Sequence, residues 1–322
     1  MRILLTNDDG IRAPGILALH EAITAGPDPD WPGIADEPIE VYTVAPLTVQ
    51  SATSHGVTFS EPLMARPAKH LDGTSVDGRP ADCVKLALST LWPERFGAGT
   101  RPDLVISGMN AGANCGINVI YSGTVAAAIE AAFLGIPSIA VSLHLGPGRT
   151  MYDVGAQHAA RAIRTVLASG PLAPHSCTNI NVPRCETPID NTAEGRERVR
   201  ADHEAAGMPA GSDPQPAPAM PDTSDTPAFE LGPDRDDKID PHATMPIAVC
   251  PMNTHGLIDR FERRESPAGH PYYWSAAGGL DFHQTEPGTD VDLLFKRHIT
   301  VTPLTFDLTD RQSLTHWRER LG

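Results

Sequence analysis

The sequence predicts an α/β fold: a Rossmann-like, mostly parallel sheet flanked by helices, with a C-terminal antiparallel extension or arm. Three observations lead there. Short apolar or β-branched runs alternate with helical patterns through the first 183 residues. The first run, Ile3 to Leu5, passes directly into Asn7-Asp8-Asp9-Gly10, as a buried parallel strand does when its carboxyl end carries function. Strand-like segments then return after a long polar interruption.

The expected strands are Arg2–Thr6, Val41–Ala45, Leu104–Ser107, Ser138–Leu143 and Asn179–Val182. Helical patterns fall between them, the first over Ala13–Ile23. Asp82 reads as the N-cap of a helix over Cys83–Leu91. The Ala-rich Thr124–Leu134 follows Ser122-Gly123 and is stopped by Gly135 and Pro137. In Asp153–Ala168 the small and apolar residues Ala156, Ala159, Ala160, Ile163, Val166 and Leu167 share one face. Strand–helix alternation at these lengths implies right-handed crossovers.

Residues 186–245 change character. Pro-Gln-Pro-Ala-Pro-Ala-Met-Pro (214–221) and repeated Asp, Ser, Thr and Gly leave few large apolar residues, so this stretch is expected to be a solvated, flexible insertion. Order resumes near Ile247. Tyr272-Tyr273-Trp274 reads as a strand with its aromatics packed in the arm, and Ile299–Leu308, which contains Pro303, as another. The whole, 1–322, reads as one domain, with 246–310 forming the C-terminal strands and an oligomerisation arm.

Composition narrows the function classes. The net charge of −15 disfavours binding a nucleic-acid polymer through a basic face. Glu186 to Pro246 holds 14 Asp/Glu against 5 Lys/Arg, so the rest of the chain carries only −6. A small anionic substrate held by a metal and backbone amides is compatible with that body. No apolar run approaches the roughly 20 residues needed to cross a bilayer. The strand starting at residue 2 leaves no room for a cleaved leader. The five scattered cysteines include no CxxC pair and suggest neither a disulfide framework nor a zinc site. A cytoplasmic protein that does not engage membranes is expected.

The chemistry gathers at strand ends. Adjacent carboxylates Asp8 and Asp9 repel and are costly to desolvate together, so a hard divalent cation between them is the economical arrangement; turn formation and helix capping are the competing explanation. Gln50-Ser51-Ala-Thr-Ser-His55-Gly56 forms a small, hydroxyl-rich loop after the second strand. Gly108-Met-Asn110-Ala-Gly-Ala-Asn114-Cys-Gly116 is a Gly-rich turn whose amides can approach an anion and whose Asn oxygens can ligate a hard cation. Tyr121-Ser122-Gly123-Thr124 opens a helix whose free amides and two hydroxyls suit phosphate, or simply cap the helix. His55, His144 and His255 read as loop residues, His55 within reach of substrate. Glu130 reads as a pairing or capping residue.

These segments carry a family resemblance. Arg2-Ile-Leu-Leu-Thr-Asn-Asp-Asp-Gly10, Ala13-Pro-Gly15, Ala45-Pro46, Asp82-Cys-Val84 and Pro102-Asp103 are similar to the SurE family of metal-dependent phosphatases acting on nucleoside monophosphates. Ser107-Gly-Met-Asn-Ala-Gly-Ala-Asn114, Val119–Ala128, Asn179-Ile-Asn-Val-Pro183, Gly288-Thr-Asp290 and Thr302-Pro303 complete the match, which spans all but the insertion. The resemblance implies one divalent metal ion per subunit (Mg²⁺ or Mn²⁺, or Ca²⁺ in a crystal) on Asp8, Asp9, Ser51 and Asn110. It implies a phosphate pocket lined by Asn7, Asn114, Ser122, Gly123 and Thr124, and a homodimer or tetramer that exchanges C-terminal arms. Three departures stand out. Leu47-Thr-Val-Gln50 replaces an Asp-Arg-Asn-Arg-like stretch, which removes basic side chains near the substrate; Ile117-Asn118 replaces acidic residues; and the 186–245 insertion is long.

The expected reaction is hydrolysis of nucleoside 5′- and 3′-monophosphates, the cation polarising a phosphoryl oxygen and Asp8 or Asp9 orienting water or relaying a proton. The adjacency of the two acids disfavours aspartyl-phosphate chemistry built on an Asp-x-Asp spacing. The alternatives are a non-catalytic nucleotide- or metal-binding module and a nucleotide-sugar transferase on a similar sheet.

Overall fold

A computed structural model describes residues 1–26, 33–146, 148–187, 240–275, 280 and 282–321. Most of the expected insertion, 188–239, lies outside them.

Nine strands form one sheet, in the order β3-β4-β2-β1-β5-β6-β7-β11-β8. They are β1 (Arg2–Thr6), β2 (Glu40–Pro46), β3 (Met64–Ala68), β4 (Gly73–Asp77), β5 (Leu104–Ala111), β6 (Ser138–Leu143), β7 (Cys177–Val182), β8 (Ile247–Val249) and β11 (Ile299–Leu304). The β4-β2-β1-β5-β6-β7 centre is parallel; β3 on β4 and β11 on β7 are antiparallel. Two strands outside this sheet, β9 (Phe261–Glu265) and β10 (Pro271–Ser275), pair only with each other.

Helices cover both faces, which explains why the central strands read as continuous apolar runs. Successive side chains of β1 enter different cores. Ile3 and Leu5 join the cluster under helices α1 (Pro14–Thr24) and α5 (Tyr152–Ala168). Leu4 joins Val84, Trp92 and Ala127, from helices α2 (Pro80–Leu86), α3 (Trp92–Phe96) and α4 (Gly123–Phe133). The chain leaves β1 toward β2 on one side and later returns to β5 on the other, so the crevice between the carboxyl ends of β1 and β5 is a topological switch point.

Several expectations are corrected. The helix expected over Cys83–Leu91 begins at Pro80, and Asp82 is its third residue, with Arg79 as N-cap. Proline is preorganised for the first helical position, which moves the start upstream. Asp82 is instead a clasp, accepting from the Thr58 amide at 2.9 Å, the Thr58 hydroxyl at 2.7 Å and the Arg79 amide at 3.0 Å. Asp82→Ala leaves these donors without their acceptor and is expected to cost about 2–4 kcal/mol in a urea titration. A loss below about 0.5 kcal/mol would contradict the clasp. The same helix widens into a π-type turn over Ala87–Leu91 before α3. Pro93, one residue into α3, lacks the amide for a regular i−4 bond and crowds the carbonyl one turn back.

The β3–β4 hairpin was not anticipated. Met64-Ala-Arg-Pro-Ala is poor in β-branched residues, and Pro67 is tolerated because β3 lies at the sheet edge. The last strand stops at Leu304 rather than Leu308, since its partner β7 begins at Cys177, opposite Leu304. Pro303 falls beyond the stretch of β11 that pairs with β8. Tyr272, Tyr273 and Trp274 do form a strand, but within this single chain they are exposed rather than packed. The helices α6 (Asp290–Phe295) and α7 (Arg311–Leu321) close the chain. Among the described residues no helix is long and apolar enough to cross a membrane.

Candidate active site

The crevice at the switch point collects most of the expected residues. Asp8 and Asp9 leave the end of β1 nearly buried, 3% and 8% exposed. Asn7 shapes the turn: its Nδ2 donates to the Gly10 carbonyl at 2.9 Å, and its Oδ1 accepts from the Gly10 amide at 3.2 Å. Gly10 takes a φ of +100°, which its lack of a side chain permits. The carboxamide of Asn7, expected to face substrate, is therefore spent on the local turn.

Helix α4 points its N-terminus at Asp8. Ser122 caps the helix, its Oγ accepting from the Val125 amide at 3.1 Å. Thr124 donates its hydroxyl to Asp8 Oδ1. Gly123 must be glycine, because a Cβ there would lie 2.9 Å from Asp8 Cβ and 3.2 Å from the Pro80 ring. The expected phosphate cradle thus first serves a carboxylate, which the positive end of a helix also favours.

On the other side of Asp8–Asp9 stands β5. Its pairing with β6 slips between Ser107 and Asn110, a bulge that re-aims the strand end. Asp9 Oδ2 accepts from the Ala111 amide at 2.8 Å. Asn110 donates its Nδ2 to the Gly112 carbonyl at 2.6 Å, which turns its carboxamide oxygen away from that bond. Asn114 lies deeper. Its Nδ2 donates to Ser142 Oγ at 2.8 Å, its amide to Asn181 Oδ1 at 2.8 Å, and its carbonyl accepts from Asn179 and Asn181. Asn179 and Asn181 share a face of β7 at period 2, a signal visible in the sequence but without an assigned role there.

The Ser51 loop completes the crevice. The Gln50 amide donates to the Asp8 carbonyl at 2.7 Å, which brings exposed Ser51 beside the acid pair. The loop is anchored at its far end by contacts the sequence reading missed. Ser54 donates its hydroxyl to the Ile120 carbonyl at 2.8 Å and its amide to the Tyr121 carbonyl at 3.1 Å. His55 pairs through Nε2 with buried Glu130 at 2.7 Å and stacks on Phe133, while Lys85 reaches Glu130 at 3.3 Å. These partners hold the Glu130 carboxyl below its ordinary range against burial, which opposes them. Glu130 therefore pairs, as expected, and His55 anchors the loop. His55→Ala is expected to weaken metal affinity about tenfold through the loosened Ser51 loop, with little loss of global stability. Unchanged metal affinity in a folded variant would contradict that role.

A second clasp lies outside the sequence reading, on a residue quoted there only as part of a motif. Buried Asp290 accepts from the amides of Gly116, Asn253 and Val291, each at 2.8 Å, and so ties the β5–α4 connection to the C-terminal segment.

The electrostatics are those of two acids held together out of water. Burial raises the Asp8 carboxyl above its ordinary range, although the Thr124 hydroxyl, its own amide and the Thr124 amide pull it down. Burial and then the Asp8 charge push Asp9 up to about 7, against the Ala111 amide. Two buried acids with raised pKa values, a carboxamide oxygen and a serine hydroxyl are an all-oxygen donor set of the kind a hard divalent ion takes. Two buried hydroxyls at the same strand ends, Thr6 and Ser107, are register partners and have no protein partner. Among the described residues no three His, Cys, Asp or Glu side chains converge. The residues present fit a hard cation.

Fold and crevice together define the class: a doubly covered α/β sheet with an acid pair and a helix N-terminus facing one another at the switch point. The chain belongs to the SurE family; the family model "Survival protein SurE" matches residues 3–201. It is 35% identical over 321 residues to the 5′-nucleotidase SurE of Desulfovibrio desulfuricans, covering 98% of this chain and 96% of that one. It is 36% identical over 326 residues to the 5′-nucleotidase SurE of Heliobacterium modesticaldum, covering 100% and 92%. Among solved structures it resembles the SurE protein of Aquifex aeolicus, with a TM-score of 0.66, 29% identity and 99% of each chain covered.

Proposed function

We propose that this protein is a metal-dependent phosphomonoesterase that hydrolyses nucleoside 5′-monophosphates, and also 3′-monophosphates, to nucleoside and inorganic phosphate. The observation that carries this reading is the pair of buried carboxylates, Asp8 and Asp9, facing the N-terminus of α4 across the switch-point crevice. The names of the SurE relatives, 5′-nucleotidases, support the same substrate class.

Asp8, Asp9, Ser51 and Asn110 would hold one divalent cation, Mg²⁺ or Mn²⁺, which when bound supplies neutralisation of phosphoryl charge. The amides that open α4 and the Ser122 hydroxyl orient the phosphate, while the Thr124 hydroxyl orients Asp8. Asn114, braced by Ser142 and Asn181, fixes the wall of the pocket. Asp9 orients the attacking water. The water oxygen bonds to phosphorus, the ester P–O bond breaks, and one proton of the water passes to the ester oxygen, so that the nucleoside leaves as an alcohol and phosphate remains.

The assembly is a homodimer or a pair of dimers. The β9–β10 hairpin supports this, because Phe261, Tyr272, Tyr273 and Trp274 are exposed on it and a lone two-stranded hairpin is marginal in water. The working compartment is the cytoplasm, in keeping with five cysteines that are all buried.

The test is phosphate release from a panel of nucleoside monophosphates with Mn²⁺ or Mg²⁺, against an EDTA control. Release that EDTA abolishes and Mn²⁺ restores is expected. Metal-saturated protein that binds nucleotide without releasing phosphate would instead make it a binding module. Monomeric behaviour at micromolar concentration in light scattering would contradict the assembly.

A further inference from the structure

A recess of about 620 Å³ opens between the start of α1, the segment that follows the acid pair in sequence, and the β3–β4 hairpin, and its wall includes Ile11, Arg12, Leu47, Lys69 and His70. Its charge is unusual for this chain. Arg12 and Lys69 are exposed, and neither makes an ion pair or hydrogen bond with a described residue. The nearest acid on the hairpin turn, Asp72, is already paired with Arg95. His70 is tied through Nε2 to the Ile11 carbonyl at 3.1 Å, which sets its ring against the chain that leaves Asp9. In a protein of net charge −15, two unpartnered cations and a histidine converge on one concavity.

The recess and the acid pair lie at opposite ends of one short loop. Leu47 lines the recess, and its amide is fixed on the Val76 carbonyl at 2.7 Å. Thr48 and Val49 pack against Gly10. Gln50 rests its amide on the Asp8 carbonyl at 2.7 Å. Three residue steps separate Leu47 from Gln50, so the Cα atoms of these two residues are at most about 11 Å apart. The loop itself, Leu47-Thr-Val-Gln50, carries no charge where the family resemblance leads one to expect basic residues. The cations stand instead on the elements that flank it.

We propose that this recess binds a second anionic group of the substrate, and that the preferred substrates are nucleosides phosphorylated at both ends, typified by a nucleoside 3′,5′-bisphosphate. This rests on the phosphomonoesterase reading above. One phosphate occupies the Asp8–Asp9 crevice and is cleaved. The other meets the Arg12 guanidinium and the Lys69 ammonium, both of which make charge-assisted hydrogen bonds to phosphate oxygens. Leu47 and Ile11 contribute apolar surface to the recess.

The experiment compares adenosine 5′-monophosphate with adenosine 3′,5′-bisphosphate on the wild type and on the Arg12→Gln/Lys69→Gln double variant, with Mn²⁺ present. The wild type is expected to show a KM about tenfold lower for the bisphosphate, in line with one or two charge-assisted bonds. The double variant is expected to lose that preference while keeping the wild-type kcat/KM for the monophosphate. Equal KM values in the wild type, or a preference that survives the double substitution, would overturn the proposal and leave the phosphomonoesterase reading intact. If neither substrate is hydrolysed, that reading fails separately, and calorimetric binding of the bisphosphate decides this one. Affinity lost in the double variant supports the recess; equal affinity in both proteins overturns it.

Discussion

Asp9→Asn removes phosphatase turnover by several orders of magnitude and makes the metal-free protein more stable. Both effects have one cause. Asp9 is almost fully buried against Asp8, and its carboxyl is pushed up to about 7 from an ordinary value of 3.8. The folded state therefore binds this proton more tightly than the unfolded chain does. Its contribution to stability is intact below about pH 4 and is lost as pH rises through about 7, on the order of 2–4 kcal/mol in total. Asparagine carries no charge to desolvate, and its side-chain oxygen can still accept from the Ala111 amide. The metal-free variant should thus melt above wild type at pH 8, with the gap closing toward pH 4. Saturating Mn²⁺ should reverse the order, because only the wild type gains strongly from binding the ion. Calorimetric melts at both pH values, with and without metal, test this. A variant with wild-type turnover, or one less stable than wild type without metal at pH 8, refutes the assignment.

Gly15→Ala is expected to be strongly damaging although it adds only a single methyl group. Gly15 is the second residue of α1, after Pro14, where alanine would ordinarily gain about 1 kcal/mol of helix propensity. Here the added Cβ would fall inside the contact distance of the Met109 carbonyl oxygen, which is backbone and cannot rotate away. Overpacking of this kind costs about 1–3 kcal/mol and reverses the sign. The helix must then lift from β5 at the bulge that aims Asn110, so metal affinity should fall together with stability. A urea midpoint at or above that of wild type would show that the close approach is not a constraint.

The sequence displayed the parallel centre of this fold because strands covered on both faces are uniformly apolar, and Ile3-Leu4-Leu5 or Ser138–Leu143 cannot be mistaken for polar loop. It did not display β3 and β4, whose order comes from pairing with an existing edge and not from their own Met64-Ala-Arg-Pro-Ala or Gly73-Thr-Ser-Val-Asp composition. The acid pair was legible as a candidate because it ends an apolar strand and other polar strand ends accompany it, although Asn-Asp-Asp-Gly is equally good turn chemistry. What could not be read is how side chains are shared. Thr124 is spent on Asp8, Asn7 on Gly10, and Glu130 on His55, 75 residues away in sequence. Such pairings depend on which strand ends meet, and that is fixed only once the sheet order is known. The exposed aromatics of β10 illustrate the same limit, since the described residues leave them uncovered.

The central claim is that Asp8 and Asp9 exist to grip one hard cation. An anomalous difference map from crystals grown with Mn²⁺ tests it most directly. The account predicts a single strong peak per chain, in contact with carboxylate oxygens of both Asp8 and Asp9 and with the Asn110 carboxamide oxygen. A map without density there, with Asp8 still bonded to Thr124 and Asp9 to the Ala111 amide at saturating metal, would contradict it.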